Sequence, residues 1–287
     1  MELPQQLRTI GKEVIHNNSL IREIYLRKRF AQERMLFDGR ATFNSHQSVL
    51  FFTLHKCASV YVKGILKEIS QDSDITSVEL DNYLLMSKLP SLNTIIDRHD
   101  IELQTKIKNL FNPKGYLYTT FRYPKIWEFI ENPVKYKTLL MLRDPRDVLT
   151  SAYFSFGYTH GVPITKTKRN DFLTWRNEVA SQTLDGFVLS VKEDWLRMYT
   201  YYCQNLVGKP NVLLVRFEDM VTNFDSWLNS IIEFLNLEVN QTKIAEIVNR
   251  SSQKQIKTKD YRKALQPNTI NILNREFHEV LNFLGYN

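Results

Sequence analysis

Four runs of the chain are apolar almost without interruption: residues 48–54 (Ser-Val-Leu-Phe-Phe-Thr-Leu), 115–120 (Gly-Tyr-Leu-Tyr-Thr-Thr), 136–142 (Tyr-Lys-Thr-Leu-Leu-Met-Leu) and 211–215 (Asn-Val-Leu-Leu-Val). A strand with one wet face alternates apolar and polar positions, whereas a continuous run fits a strand covered on both faces, as in a parallel sheet. Helical spacing follows the first run, with Val62, Ile65, Leu66 and Ile69 on one stripe. Asp144-Pro145 after the third run is a helix start signal, because proline is pre-set for the first helical turn. Glu218-Asp219 opens a helix after the fourth run, and further helices are expected over 241–250 and 268–284. Near-helical spacing of Ile21, Ile24, Tyr25 and Lys28, then Phe30, Met35 and Phe37, makes residues 1–47 a helical extension packed on the core. Residues 157–182, rich in Gly, Thr, Lys and Asn, are expected to form a long loop of the kind that serves as a lid or binding segment. Strands alternating with helices predict an α/β protein with a single domain, its central parallel sheet flanked by helices, and residues 48–287 as the main body.

Composition narrows the class without choosing a function. At 287 residues, 43% hydrophobic and 24% charged, the chain can bury a sizeable core with no help from disulfides or metals. Its two cysteines, Cys57 and Cys203, are too few for a disulfide framework and wrongly spaced for zinc. The first residues lack a basic-then-apolar leader, and no apolar run approaches the ~20 residues of a membrane span, so a cytoplasmic, reducing location is expected. The net charge of +7 suits nucleic acid, an anionic surface or a polyanionic small molecule. No zinc finger, RNA-reading strand or long Lys/Arg block selects among these partners.

Ligands of α/β sheets bind beyond the carboxyl ends of the strands, which directs attention to the turns. The first turn is His55-Lys56-Cys57-Ala58-Ser59-Val60, running from strand into helix. Free N–H groups at a helix start favour an anion, Lys56 adds a full charge and Ser59 a hydroxyl. The Gly-x-x-x-x-Gly-Lys-Ser/Thr loop of triphosphate-binding proteins is absent. In the second turn Arg143 ends a strand and Ser151 falls two helical turns later; a structural ion pair between Arg143 and Asp147 is an equal alternative.

Together these segments resemble the sulfotransferases that use 3′-phosphoadenosine-5′-phosphosulfate (PAPS), in particular soluble bacterial members acting on small molecules. The family's Lys-Ser-Gly-Thr-Thr-like turn is matched by Lys56-Cys57-Ala58-Ser59-Val60, and its Arg with Ser eight residues on by Arg143 and Ser151. Its Tyr-Glu-Asp-Leu-like segment is matched by Phe217-Glu218-Asp219-Met220, and its C-terminal region by Tyr261–Pro267, Leu273–Phe277 and Phe283–Tyr286. The resemblance spans roughly residues 48–286 and implies a P-loop-NTPase-like sulfotransferase fold.

It also implies roles. Lys56 would neutralise the leaving phosphate, while Ser59 and the backbone of Cys57, Ala58, Ser59 and Val60 would hold the 5′-phosphate. Tyr61 would stack on adenine, and Arg143 and Ser151 would take the 3′-phosphate. Phe217 stands beside the donor site, and Lys254, Lys257 and Lys259 stand where the family has a basic segment. PAPS would be the donor and 3′-phosphoadenosine-5′-phosphate (PAP) the product, with no metal.

Departures from the pattern set further expectations. Ala58 replaces a glycine, so the turn is expected to avoid backbone angles that only glycine tolerates. Cys57, at an electropositive helix start, is expected to have a depressed thiol pKa and to be shielded from alkylation by bound nucleotide. Arg122, in Thr120-Phe121-Arg122-Tyr123-Pro124, stands where many members carry the catalytic His. Arginine stays protonated and is no general base, which leaves it to bind sulfonate oxygens, orient an acidic acceptor or make a structural ion pair. His160, His99 and Glu128 are the alternative bases, and His55 is expected to be a local hydrogen-bonding residue.

The aromatic set Tyr153, Phe154, Phe156 and Tyr158 suggests walls for a small organic acceptor, with an alkaloid or other natural product as the preferred class. Neither nucleic acid nor membrane is expected as a partner. A PAP/PAPS-binding pseudoenzyme and a basic nucleic-acid-binding protein are the rival readings.

Overall fold

The computed structural model describes residues 11, 13–41, 44–97, 101–253 and 260–286. Its centre is a five-stranded, wholly parallel sheet of β1 (Val49–Thr53), β2 (Thr76–Val78), β3 (Tyr116–Phe121), β4 (Lys137–Leu142) and β5 (Val212–Arg216), in the order β2-β3-β1-β4-β5. The four strands expected from the apolar runs are present to within a residue at each end. The three-residue β2 is too short to leave a run of its own.

Because side chains alternate across a strand, each uninterrupted run feeds two cores. Leu50, Phe52, Tyr116, Tyr118, Leu140 and Leu142 face one side, which is closed by the Pro145–Phe154 and Leu184–Asn205 helices and the C-terminal pair Pro267–Glu276 and His278–Leu284. Val49, Phe51, Leu117, Leu139 and Met141 face the other, against Val62, Ile65 and Leu66 of the Ser59–Ile69 helix and Trp227, Leu228 and Ile231 of the Phe224–Leu235 helix. The helix expected over 268–284 is thus two helices, separated at Phe277.

One irregularity matters for function. The pairing of β1 with β3 runs Leu50↔Tyr118 and then Phe52↔Phe121, so β3 contains an extra residue. Thr120 sits in this bulge at φ 72, a left-handed angle that is costly for a β-branched residue.

The segment expected to be a loop over 157–182 is mostly ordered helix: a π-helical turn at Ser155–Thr159, then a 16-residue α-helix, Lys166–Ser181. This helix lies on the surface, and Val179 is the only one of its described residues that is fully buried. A helix with so narrow a buried face has no apolar stripe to reveal it.

The N-terminal helices Ser19–Arg29 and Ala31–Phe37 pack through Leu26, Phe30 and Leu36, with Phe30 and Phe37 ringing Tyr83 at 6.1 and 5.9 Å. Glu79 ties this layer to the Ser59–Ile69 helix. Its nearly buried carboxylate accepts from Arg29 at 3.1 Å, from Lys63 at 3.0 Å and from Lys67 and Asn82, while its own N–H donates to Glu33. Burial alone would raise the Glu79 pKa, but the bonds from Lys67 and Lys63 outweigh it and hold it at about 2, against an ordinary 4.5. A carboxylate depressed in the folded state stabilises above its unfolded pKa and stops doing so as pH falls through the folded value. Chemical denaturation of Glu79→Gln should therefore show a loss of about 2 kcal/mol at neutral pH. The gap from wild type should close between pH 4.5 and 2.

Candidate active site

The turn after β1 carries two residues in left-handed conformation, Lys56 at φ 69 and Ala58 at φ 54. The expectation that Ala58 would avoid a glycine-like angle is therefore wrong: alanine adopts it at a cost of about 1 kcal/mol. The surroundings explain how the turn is held. Arg143, at the end of β4, donates to the Lys56 carbonyl at 3.3 Å, and Arg122, just past β3, donates from Nη2 to Ser59 Oγ at 2.8 Å. Within the Ser59–Ile69 helix, Tyr61 and Val62 N–H bond to the Ala58 carbonyl at 2.9 and 3.1 Å. The N–H groups of Ser59 and Val60 precede these bonds, so as the first of a helix they lack carbonyl partners within it.

A cavity of about 640 Å³ opens over this turn, lined by Lys56, Ala58, Ser59, Val60, Tyr61, Gly64, Ile65, Glu68 and Arg250. Its far wall is the Gln241–Ser252 helix, joined to the near one by the Arg250–Glu68 ion pair at 2.7 Å and a 2.5 Å hydrogen bond between Tyr61 and Ser251. Partial burial lowers the pKa of Lys56, with the nearby charges of Arg143 and Arg122 acting in the same direction.

Lys56, Ser59, Val60 and Tyr61 therefore line one opening, and Arg122 adjoins it through its bond to Ser59. His160 joins them: its ring is 6.5 Å from that of His55 and 5.4 Å from Phe156. Desolvation lowers the pKa of His160, and the charges of Lys56, Arg176 and Arg122 push it the same way. Arg176 donates to the carbonyls of Phe156 and His160, fixing the π-helical turn against the Lys166–Ser181 helix. Phe172 and Trp175 of that helix continue the wall, at 5.7 Å from His160 and 5.0 Å from Phe156. Both were invisible in sequence, lying where a loop was expected.

Other expected residues are placed differently. Arg143 is only 4% exposed. Its guanidinium donates to Asp147 at 3.3 Å and lies over the Phe217 ring at 4.4 Å, so the ion pair held open as an alternative does form. Phe217 is buried beneath it rather than facing the cavity, and Ser151 is half-buried two turns along the Pro145–Phe154 helix. Glu218 serves the scaffold, accepting from the Asp144 N–H at 3.1 Å and the Tyr286 hydroxyl at 2.8 Å. Tyr153 is buried and donates to the Gln182 carbonyl, whereas Tyr158 is exposed. Glu128 is exposed on the Ile126–Phe129 helix, where it acts on Tyr201 and Tyr123. Lys254, Lys257, Lys259 and His99 lie outside the described residues.

Residues 46–280 match the sulfotransferase domain model, and the chain belongs to that family. A search of curated proteins finds no match. Among solved structures, mouse sulfotransferase SULT7A1 complexed with PAP is 14% identical at a TM-score of 0.54, covering 88% of this chain and 89% of that one. Sulfotransferase STF9 from Mycobacterium avium is 10% identical at a TM-score of 0.54, covering 97% and 85%. At such identities the likeness is one of fold. No helix among the described residues is long and apolar enough to cross a membrane.

Cys57 departs from expectation. Its side chain is fully buried in the core, and burial pushes the thiol up to about 12 instead of down. Any part it has in anion binding is through its backbone. Cys57 should stay unmodified when the folded protein is treated with iodoacetamide at neutral pH, with or without nucleotide, as read by peptide mass spectrometry.

Proposed function

We propose that the protein transfers a sulfonate group from PAPS to a small organic acceptor. The observation that carries this reading is the β1 turn: a half-buried Lys56 beside helix N–H groups without intrahelical partners, at the mouth of a cavity large enough for a nucleotide. The donor set fits a phosphosulfate, since the turn offers N–H groups, a hydroxyl and a cation, and the lining carries a single carboxylate, Glu68, already paired to Arg250.

Sulfonate transfer needs an in-line acceptor and neutralisation of the charge that grows on the departing phosphate. Lys56 is the residue for that charge. Because the charge is largest in the transition state, its ammonium lowers the barrier rather than merely tightening binding. The N–H groups of Ser59 and Val60, with the Ser59 hydroxyl, bind the 5′-phosphate. Arg122 occupies one lone pair of that hydroxyl, leaving its proton to donate. Tyr61, on the cavity wall, is suited to the adenine face. Arg143 braces the turn from beneath, and its buried Nε–H has no hydrogen-bond partner among the described residues, so the guanidinium adds positive potential for the 3′-phosphate with Ser151 beyond it. The acceptor enters from the side of Phe156, His160 and Trp175. A natural product such as an alkaloid belongs to the range of compact organic molecules this aromatic wall admits.

Isothermal titration calorimetry with PAP and AMP tests the donor site, and sulfonate transfer from labelled PAPS to a panel of small acceptors tests turnover. PAP should bind at least about tenfold more tightly than AMP, from the charge-assisted bonds to its extra phosphate. Lys56→Ala should lower kcat by about 10²–10³-fold with PAP still bound, the scale for removing one transition-state donor. Equal affinity for the two nucleotides, or an unchanged kcat in Lys56→Ala, would sink the assignment.

A further inference from the structure

Arg122 is the unexpected group at this site, and its position is built rather than incidental. The bulge at Thr120 inserts one residue into β3, which reverses the side of the sheet that later positions address. Tyr116, Tyr118 and, after the bulge, Phe121 all face the Phe52 side of the sheet, so the next residue falls toward the Ser59–Ile69 helix. Arg122 accordingly meets Ser59 at 2.8 Å, and its buried Nε–H has no hydrogen-bond partner among the described residues.

The charges around it are mostly of one sign. Lys56 and His55 face it from the β1 turn, and His160 from the π-helical turn, with Arg176 behind that turn. Among the described residues the carboxylate acting on Arg122 is Asp81, in the first turn of the Leu80–Met86 helix, where it accepts the Leu92 N–H and desolvation raises its pKa. The imidazoles are weakened as bases in this field. His160 and His55 both have depressed pKa values, from desolvation first and then from the neighbouring cations. A base that gives up its proton more readily also accepts one less readily in a transition state. Next to these cations stands the aromatic wall of Phe156, Phe172 and Trp175, with Trp175 38% exposed.

Resting on the sulfotransferase reading above, we propose that Arg122 selects an acceptor with an acidic hydroxyl on an aromatic ring and binds it as its anion, so that transfer needs no base from the protein. The oxygen anion attacks sulfur, and the new O–S bond forms as the bond from sulfur to the bridging phosphate oxygen breaks. That electron pair stays on the phosphate, which leaves as PAP, and no proton changes hands. An aliphatic alcohol or an amine would have to shed a proton into a site whose nearest groups are cations, weakened imidazoles and one carboxylate, Asp81, already held by the Leu92 N–H and the charge of Arg122. The guanidinium suits the task because it remains charged across the whole working pH range.

The probe is 4-nitrophenol, whose anion is yellow, titrated against pH in the presence of the protein saturated with PAP. The ionisation midpoint of the bound ligand should fall by about one pH unit relative to free 4-nitrophenol, a roughly tenfold preference for the anion. Arg122→Gln should abolish the shift and Arg122→Lys should retain most of it. In turnover, a series of phenols of graded acidity should show kcat/KM–pH profiles whose break moves with each acceptor's own pKa, and 4-nitrobenzyl alcohol should be at least about 100-fold slower than 4-nitrophenol. An unshifted midpoint, a break at one pH for every phenol, or equal rates for the alcohol would each overturn the proposal and point to a protein base, with Asp81 and His160 first in line. Calorimetry with PAP on the same samples separates the two levels. Loss of PAP binding in wild type defeats the donor site and this proposal together, whereas normal PAP binding with any of the three contrary results defeats only the acceptor assignment. Cooperative thermal unfolding of Arg122→Gln, followed by circular dichroism, shows that the variant is folded.

Discussion

Left-handed backbone at two non-glycine residues is uphill, and the turn after β1 persists because its neighbours over-determine it. Arg143 reaches the Lys56 carbonyl from β4 and Arg122 reaches Ser59 from β3, so both strands flanking β1 in the sheet hold the turn through a guanidinium. Tyr199 and Tyr202 of the Leu184–Asn205 helix finish the clamp, donating to the Arg143 carbonyl at 2.6 Å and the Thr53 carbonyl at 3.2 Å. A site assembled from β1, β3 and β4 ends is only as well placed as the sheet is in register, and the continuous apolar runs that build both cores set that register.

The same strands explain what could be read from the chain alone. A strand buried on both faces announces itself as an uninterrupted apolar run, as β1, β3 and β4 do, and the half-buried edge strand β5 carries one as well. The turn after β1 was legible for a related reason, because an anion site at a helix start needs particular residue types in consecutive positions. Features that join distant parts of the chain left no local mark. The Glu79 hub links residues 29, 63, 67 and 82 across three elements. The Lys166–Ser181 helix buries too little to show a period, so Phe172 and Trp175 went unnoticed. The sequence shows that the Cys57 thiol precedes a helix but not that it points inward beneath the turn, which is why the expected and observed thiol environments differ.

Electrostatically the site is asymmetric. Acids around it are committed to the scaffold: Asp144 to Arg146 at 2.7 Å, Asp147 to Arg143 and the Tyr261 N–H, Glu218 to Tyr286, Glu68 to Arg250. Of the cations, Lys56 lines the cavity, and the buried Arg122 Nε–H has no hydrogen-bond partner among the described residues. The family fold supplies the sheet and the anion-binding turn, and the placement of these few charges is what distinguishes this chain within it.

The extra residue in β3 has a further meaning. Strand geometry reads positions in twos, so one inserted residue acts on side-chain direction as a frame change that starts at Thr120 and carries through the end of the strand. Arg122 is the first side chain beyond it. Losing any one residue of Thr119–Phe121 would leave the composition of the site nearly intact while turning its guanidinium toward the opposite core, away from Ser59. The identity of the residue at position 122 and the length of the strand before it are therefore one specification, and neither can drift without the other.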